Sequence, residues 1–196
     1  MQMSKYLLIA VVALGFVGCR ATKNNATRLE QSEAAESEVV VEDTVGVIDH
    51  HAETYSYLSK RLGLDLGKGD KEHISLYETS ARWIGTPYRY GGSSRSGCDC
   101  SGLVMQIYKS VYHKKLERNS AAMKERNCTV VKKHEIEPGD LVFFSTGKKG
   151  RINHVGIVLK GKKFIHSSTS RGVIVSDLGE KYYRQTFVCA GRVKGL

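Results

Sequence analysis

The sequence predicts an α+β domain in which helices come first and an antiparallel sheet follows, with one helix packed on the sheet. Three observations carry that expectation. Ile74, Tyr77, Ala81 and Ile84 recur at helical spacing and run into the stop signal Gly85-Thr86-Pro87, as an amphipathic helix should. After a glycine- and serine-rich loop from Tyr88 to Gly97, the residues Leu103, Ile107 and Val111, with Val104 and Tyr108, mark a second helix whose first turn holds Cys100. From Pro138 onward short apolar runs alternate with turn signals. They read as strands at Asp140–Ser145, His154–Lys160, Lys163–Ser168, Val173–Asp177 and Phe187–Val193.

A chain of 196 residues has room for one such domain plus tails. With 41% hydrophobic and 26% charged residues it is neither low-complexity nor collagen-like, nor a multi-span membrane protein. The net charge of +10 is unevenly spread: residues 29–59 hold eight acids and no Lys or Arg, whereas residues 73–196 hold 22 Lys and Arg against nine acids. The folded part is therefore basic and its leader acidic. A basic surface suits a polyanion, so nucleic acid and an anionic cell-envelope polymer both enter as candidate partners.

The first nineteen residues separate those candidates. Lys5 precedes an apolar run from Tyr6 to Val17 that ends in Gly18-Cys19, which is a signal peptide and too short to span a membrane as a mature helix. Small residues directly before Cys19 resemble the lipobox of bacterial lipoproteins, whose cysteine is acylated and becomes the new N-terminus. A signal peptide cut elsewhere, with Cys19 incidental, is the alternative. Both readings export the chain, so nucleic acid drops out as a partner. The expected organisation is a signal peptide over 1–19, an acidic tether over 20–72 and a catalytic domain over 73–196. Gly63, Gly67 and Gly69 argue against a long helix at the end of the tether. Export also permits disulfides, but Cys98, Cys100, Cys128 and Cys189 allow three connectivities and their spacing selects none. With no C-x-x-C pair, a structural zinc site has little support.

Chemistry concentrates at Asp99-Cys100-Ser101-Gly102, where the loop meets the second helix. A thiol at a helix start feels the positive end of the dipole and nearby free N–H groups, which lower its pKa. Asp99 is the expected N-cap, and its negative charge opposes a thiolate, so a base is needed. His154 opens one strand and His166 closes the next, and the hairpin between them brings the imidazoles together. Direct opposition requires pairing centred on Lys160, with Gly161 at positive φ in a three-residue loop. A two-residue turn at Gly161-Lys162 sends the histidines to opposite faces unless a bulge intervenes. The expected roles are Cys100 as nucleophile, His154 as general base and acid, and His166 as the group that fixes the tautomer of His154. Buried cysteines are usually packing, and Cys128 and Cys189 fall in that class. Trp83, Tyr88 and Tyr90 have a plain reading as aromatic core at the end of the first helix.

In series, the stretches Gly85–Gly92, Asp99–Gly102, Pro138–Phe144, His154–Val158 and Phe164–His166 resemble the NlpC/P60 cysteine peptidases, over roughly Leu76 to Val193. The resemblance implies a papain-like α+β core and cleavage of peptidoglycan stem peptides, commonly between D-glutamate and a diamino acid. It makes Cys100 the nucleophile, His154 the base and His166 the orienting residue. It also implies that Tyr88 borders the site near the oxyanion, and that Asp99 and Ser101 contact substrate at the free amine of an N-terminal L-alanine. No metal or other cofactor is required. The expected partners are peptidoglycan or muropeptides and a bacterial membrane through the lipid on Cys19, with a monomer located in the cell envelope. Two alternatives stay open: an amidase or acyltransferase using the same thiol, and a non-catalytic wall-binding lipoprotein.

Overall fold

Apolar residues that recur every third or fourth position early in the chain, and in short blocks later, produce helices followed by sheet. The computed structural model describes residues 50–147 and 150–196, so the expected signal peptide, Cys19 and the expected tether up to residue 49 lie outside the described residues. Helices α1 (His50–Leu62) and α2 (Ile74–Trp83), with a 3-10 turn at Lys68–His73 between them, come first. A small hairpin of β1 (Ser93–Ser94) and β2 (Gly97–Cys98) then leads into α3 (Cys100–Tyr112). One turn, α4 (Ser120–Ala122), continues as a π-helical turn over Met123–Asn127 into β3 (Cys128–Val131). The remaining elements are β4 (Leu141–Phe144), β5 (His154–Lys160), β6 (Lys163–Ser168), β7 (Gly172–Asp177), α5 (Lys181–Thr186) and β8 (Phe187–Val193).

Six strands pair in the order β3-β8-β4-β5-β6-β7, every pair antiparallel. On one face Leu141, Phe143, Val155, Ile157, Ile165 and Val193 pack with Leu58, Leu76, Tyr77, Leu103 and Ile107 of the helices. On the other face Val142, Phe144, Val158, Phe164 and Ala190 pack with Leu178 and Tyr183. Because both faces are covered, β4 is the unbroken apolar run Leu-Val-Phe-Phe, and alternation between core and solvent is lost. Helix α3 lies on β5 and β6, so the single helix expected on the sheet is the one that begins with Cys100.

The leader departs from the expected boundary at 72/73. Tyr55, Leu58 and Leu62 form one buried stripe of α1, and Leu64 and Leu66 join the same core. Arg61 clamps α1 to the end of α2, its Nη2 donating to the Ile84 carbonyl at 2.9 Å. Residues 50–72 are therefore part of the domain. Gly63, with φ +64°, terminates α1 in the left-handed conformation that glycine adopts without a Cβ clash; it does not prevent the helix. Strand β3 and helix α5 have no counterpart in the sequence pattern. The first is four residues long at the sheet edge with Val130 exposed, and the second is six residues long, so neither carries a measurable period.

If α1 belongs to the core, Leu58→Ala costs about 2–4 kcal/mol, the usual range for emptying a buried leucine site. Urea unfolding of the two proteins measures it. An unchanged midpoint would return the segment to the tether.

Candidate active site

Helix α3 starts where Asp99, in extended conformation, accepts the Gly102 N–H at 2.7 Å, the N-cap read from the sequence. The same carboxylate accepts from Gly91 N at 2.9 Å, Ser101 Oγ at 3.1 Å, and Arg118 Nη1 and Nη2 at 2.8 and 2.9 Å. Arg118 also donates to Ser101 Oγ and to the Gly92 carbonyl. A Cβ on Gly102 would overlap the Gly92 carbonyl oxygen, so this glycine lets the loop press against the first helical turn. Burial alone would raise the Asp99 pKa, but the Arg118 hydrogen bonds and the two backbone donors outweigh it and hold the carboxyl below its ordinary value.

Those contacts give Asp99 and Ser101 work within the fold, beside the groove where a substrate contact is expected of them. Both line the groove beside Cys100, yet the five hydrogen bonds to Asp99 fill its oxygens, and Ser101 Oγ is shared between Asp99 and Arg118. The Asp99 oxygens are thus engaged from within the protein, whereas Ser101 Oγ, which donates one bond and accepts one, keeps a lone pair at the groove. Their work in this structure is to hold the loop, the helix start and Arg118 together. Arg118 lies in a mixed-charge stretch without periodicity, and nothing local in the sequence marks it as the partner of Asp99.

Cys100 is half-buried at the first position of α3. Burial, and then the charge of Asp99, push its thiol above the ordinary value. The N–H groups of Val155, Ser101 and Cys100 itself pull the other way without prevailing. The helix dipole therefore does not make a resting thiolate, contrary to the expectation from position alone. The Val155 N–H belongs to the residue after His154, so the sulfur of Cys100 meets the opening of β5.

The β5–β6 hairpin brings the histidines together by the bulged route. Ile157 pairs with Ile165 and Val158 with Phe164, whereas Lys160 pairs with Lys163 across the two-residue turn Gly161-Lys162, with Gly161 at φ +57°. Leu159 is the extra residue, and without it His154 and His166 would point to opposite faces. With it they share a face as diagonal neighbours, and direct opposition does not occur. His154 Nε2 lies 3.0 Å from His166 Nδ1, with the rings nearly perpendicular at 88°. Between them sits Gly156, where a Cβ would come within 2.6 Å of the Phe164 ring and 2.8 Å of the Ile165 carbonyl oxygen.

Beyond His166 the chain of contacts continues. Its Nε2 lies 3.0 Å from both Ser176 Oγ on β7 and Tyr183 Oη on α5, and its ring stacks on Phe164 with centroids 5.0 Å apart. Burial depresses His154 to about 4; burial and then the neighbouring His154 and Arg171 depress His166 to about 3. Both rings are neutral at neutral pH.

Cys100 opens onto a groove of about 650 Å³ whose lining includes Tyr88, Tyr90, Arg118, Arg151 and Asn153. Tyr88 is placed by a parallel bridge to Cys98 and stands half-buried there, while Tyr90 is 89% exposed, so neither fits the reading as aromatic core; Trp83 does. Cys98, Cys100, Cys128 and Cys189 are free thiols, and burial pushes Cys98 up to about 11 and Cys128 up to about 12, which makes them inert packing groups.

The histidine pair, His166 buried and His154 half-buried, makes stability depend on pH. An unfolded histidine titrates near ~6.5, and below that the unfolded chain binds protons that the folded pair refuses. Stability should therefore fall as pH drops from about 6.5 toward 3, with a slope approaching ~1.4 kcal/mol per pH unit for each histidine. Urea midpoints at pH 7.5, 6 and 5 test this, and His166→Asn should flatten the slope.

Known proteins resemble this chain in sequence and in fold. The Escherichia coli K12 protein named "Probable endopeptidase NlpC" is 43% identical over 111 residues, 57% of this chain and 71% of its own length. The same organism's "Murein DD-endopeptidase MepS/Murein LD-carboxypeptidase" is 33% identical over 151 residues, 73% of this chain and 79% of its own. Among solved structures, a lipoprotein-like NLP/P60 family protein from Staphylococcus aureus superposes with a TM-score of 0.56 at 30% identity, covering 63% of this chain and 42% of that one. The NlpC/P60 family pattern matches residues 85–192, which takes in the glycine-rich loop, the Cys100 helix and both histidine strands. On that span the chain is a member of the NlpC/P60 family, a family of cysteine peptidases.

Proposed function

We propose that this protein is a cysteine peptidase of the bacterial cell envelope that hydrolyses peptidoglycan stem peptides between D-glutamate and the diamino acid. The observation that carries the reading is the 3.0 Å imidazole pair, anchored at the point of β5 where the Cys100 sulfur meets the backbone, beside an open groove. The E. coli relative named as a murein endopeptidase supports a wall peptide as substrate. Cys19 would tether the enzyme to the membrane through lipid.

In the resting site the thiol and both imidazoles are neutral, so no buried ion pair has to be maintained. His154 has one ring nitrogen engaged with His166, which leaves Nδ1 as its base. As Cys100 Sγ attacks the amide carbon, its proton passes to Nδ1 and the carbonyl oxygen takes up negative charge. The Cys100 N–H and the Tyr88 hydroxyl stabilise that oxygen, each such donor being worth about 3 kcal/mol. The imidazolium then protonates the leaving amine as the C–N bond breaks. Water, deprotonated by the same nitrogen, hydrolyses the thioester and restores the thiol.

Digestion of purified muropeptides by the soluble domain, followed by mass spectrometry, should show products with a newly exposed diamino-acid amine. Release of the sugar would make the protein an amidase, and opening of the peptide crosslinks would move the bond. Cys100→Ala should lower turnover at least ~10³-fold while leaving the melting temperature near wild type. Retained turnover would sink the assignment. A depressed His154 pKa extends activity downward in pH: kcat/KM should hold through pH 6 and be half lost near the His154 value of about 4. A half-loss at or above ~6.5 would show a base with ordinary solvation.

A further inference from the structure

We propose that Ser176 and Tyr183 are paired positioning residues that close the imidazole relay, holding His166 with its Nδ1 turned to His154, and that either hydroxyl alone suffices. The inference rests on the peptidase reading of Cys100 and His154 and assigns two residues that the triad leaves out.

Proton bookkeeping across the pair forces the point. Two neutral imidazoles carry one ring proton each, and a hydrogen bond between His154 Nε2 and His166 Nδ1 holds one of them. For His154 to take the thiol proton on Nδ1, its own proton must sit on Nε2 and be donated to His166 Nδ1. The proton of His166 is then on Nε2, inside a ring of buried side chains, and it requires an acceptor. Ser176 Oγ and Tyr183 Oη both stand at 3.0 Å from that nitrogen, and Ser176 Oγ donates onward to Tyr183 Oη at 3.4 Å. The opposite arrangement places a proton on Nδ1 of His154 and removes the base. Without an acceptor at its far end, His166 gains by turning over or by shifting its proton to Nδ1, and both outcomes disable His154.

The two hydroxyls come from different elements, β7 and α5, and are buried together with His166. Tyr183 is also held edge-on by Phe144 and Phe164, so its position does not depend on the hydrogen bond. A carboxylate in this place would supply a counter-charge to the imidazolium. A hydroxyl supplies direction only, and the charged neighbours felt at this end of the relay are Arg171 and Glu180.

Ser176→Ala and Tyr183→Phe each remove one hydroxyl while keeping the packing. Each single variant should retain kcat/KM within about threefold, and the double variant should lose about 10²-fold in kcat with KM unchanged. Ser176→Thr combined with Tyr183→Phe should recover most of that loss. Nitrogen-15 spectra of the ring nitrogens give a readout that does not need activity and can be taken on the Cys100→Ala protein. They should show both histidines protonated on Nε2 at pH 7, and His166 moving toward the Nδ1–H form in the double variant. A wild-type His166 protonated on Nδ1, or a double variant with unaltered tautomers and kcat, would overturn the proposal, and the wild-type spectrum decides even where the double variant fails to fold. Turnover by Cys100→Ala would instead remove the peptidase reading and leave the spectra to judge the relay.

Discussion

Two imidazoles joined by one hydrogen bond, His166 buried and His154 half-buried, are the constraint around which the site is organised. Burial refuses a proton to either ring near neutral pH, so the pair rests uncharged and the shared contact has only two possible directions. That condition decides how the thiol is activated. Cys100 is not held as a thiolate by the helix dipole, since burial and the Asp99 charge outweigh the N–H groups aimed at it. On the proposed mechanism its proton is taken during attack by His154, whose ring is held neutral.

The scaffold places these groups from opposite ends of the chain's logic. One side of the site is a helix start, built by Asp99 gathering five hydrogen bonds from the loop, the first helical turn and Arg118. The other is a hairpin whose single extra residue, Leu159, returns His154 and His166 to one face. Packing α3 on β5 and β6 brings the two sides together, and the helices α1 and α2 stiffen that contact from behind through Leu58, Leu76 and Tyr77. The sheet face around His166 is sealed by Phe144, Phe164 and Tyr183, which keeps that ring from solvent.

Much of this was legible in the residues. Helix α2 and the spans of β5, β6 and β8 fall where periodicity and turn signals put them, because each is set by its own neighbours in sequence. The Asp99 cap was legible for the same reason, being a contact across three residues. Helix α1 was obscured by acidic composition and three glycines, although Tyr55, Leu58 and Leu62 do carry the helical stripe. The Leu159 bulge, the pairing of Arg118 with Asp99 across 19 positions and the Ser176–Tyr183 end of the relay left no local mark.

The sequence by itself determined the class of fold, the order of its elements and the cysteine and histidines proposed to bear the chemistry, because these depend on local preference and on which side chains exist. Tertiary structure decided the register of the hairpin, the spent carboxylate of Asp99 and the neutrality of thiol and imidazoles. Those depend on dielectric surroundings and on partners far away in the chain, and burial, which sets both, is a property only the assembled core possesses.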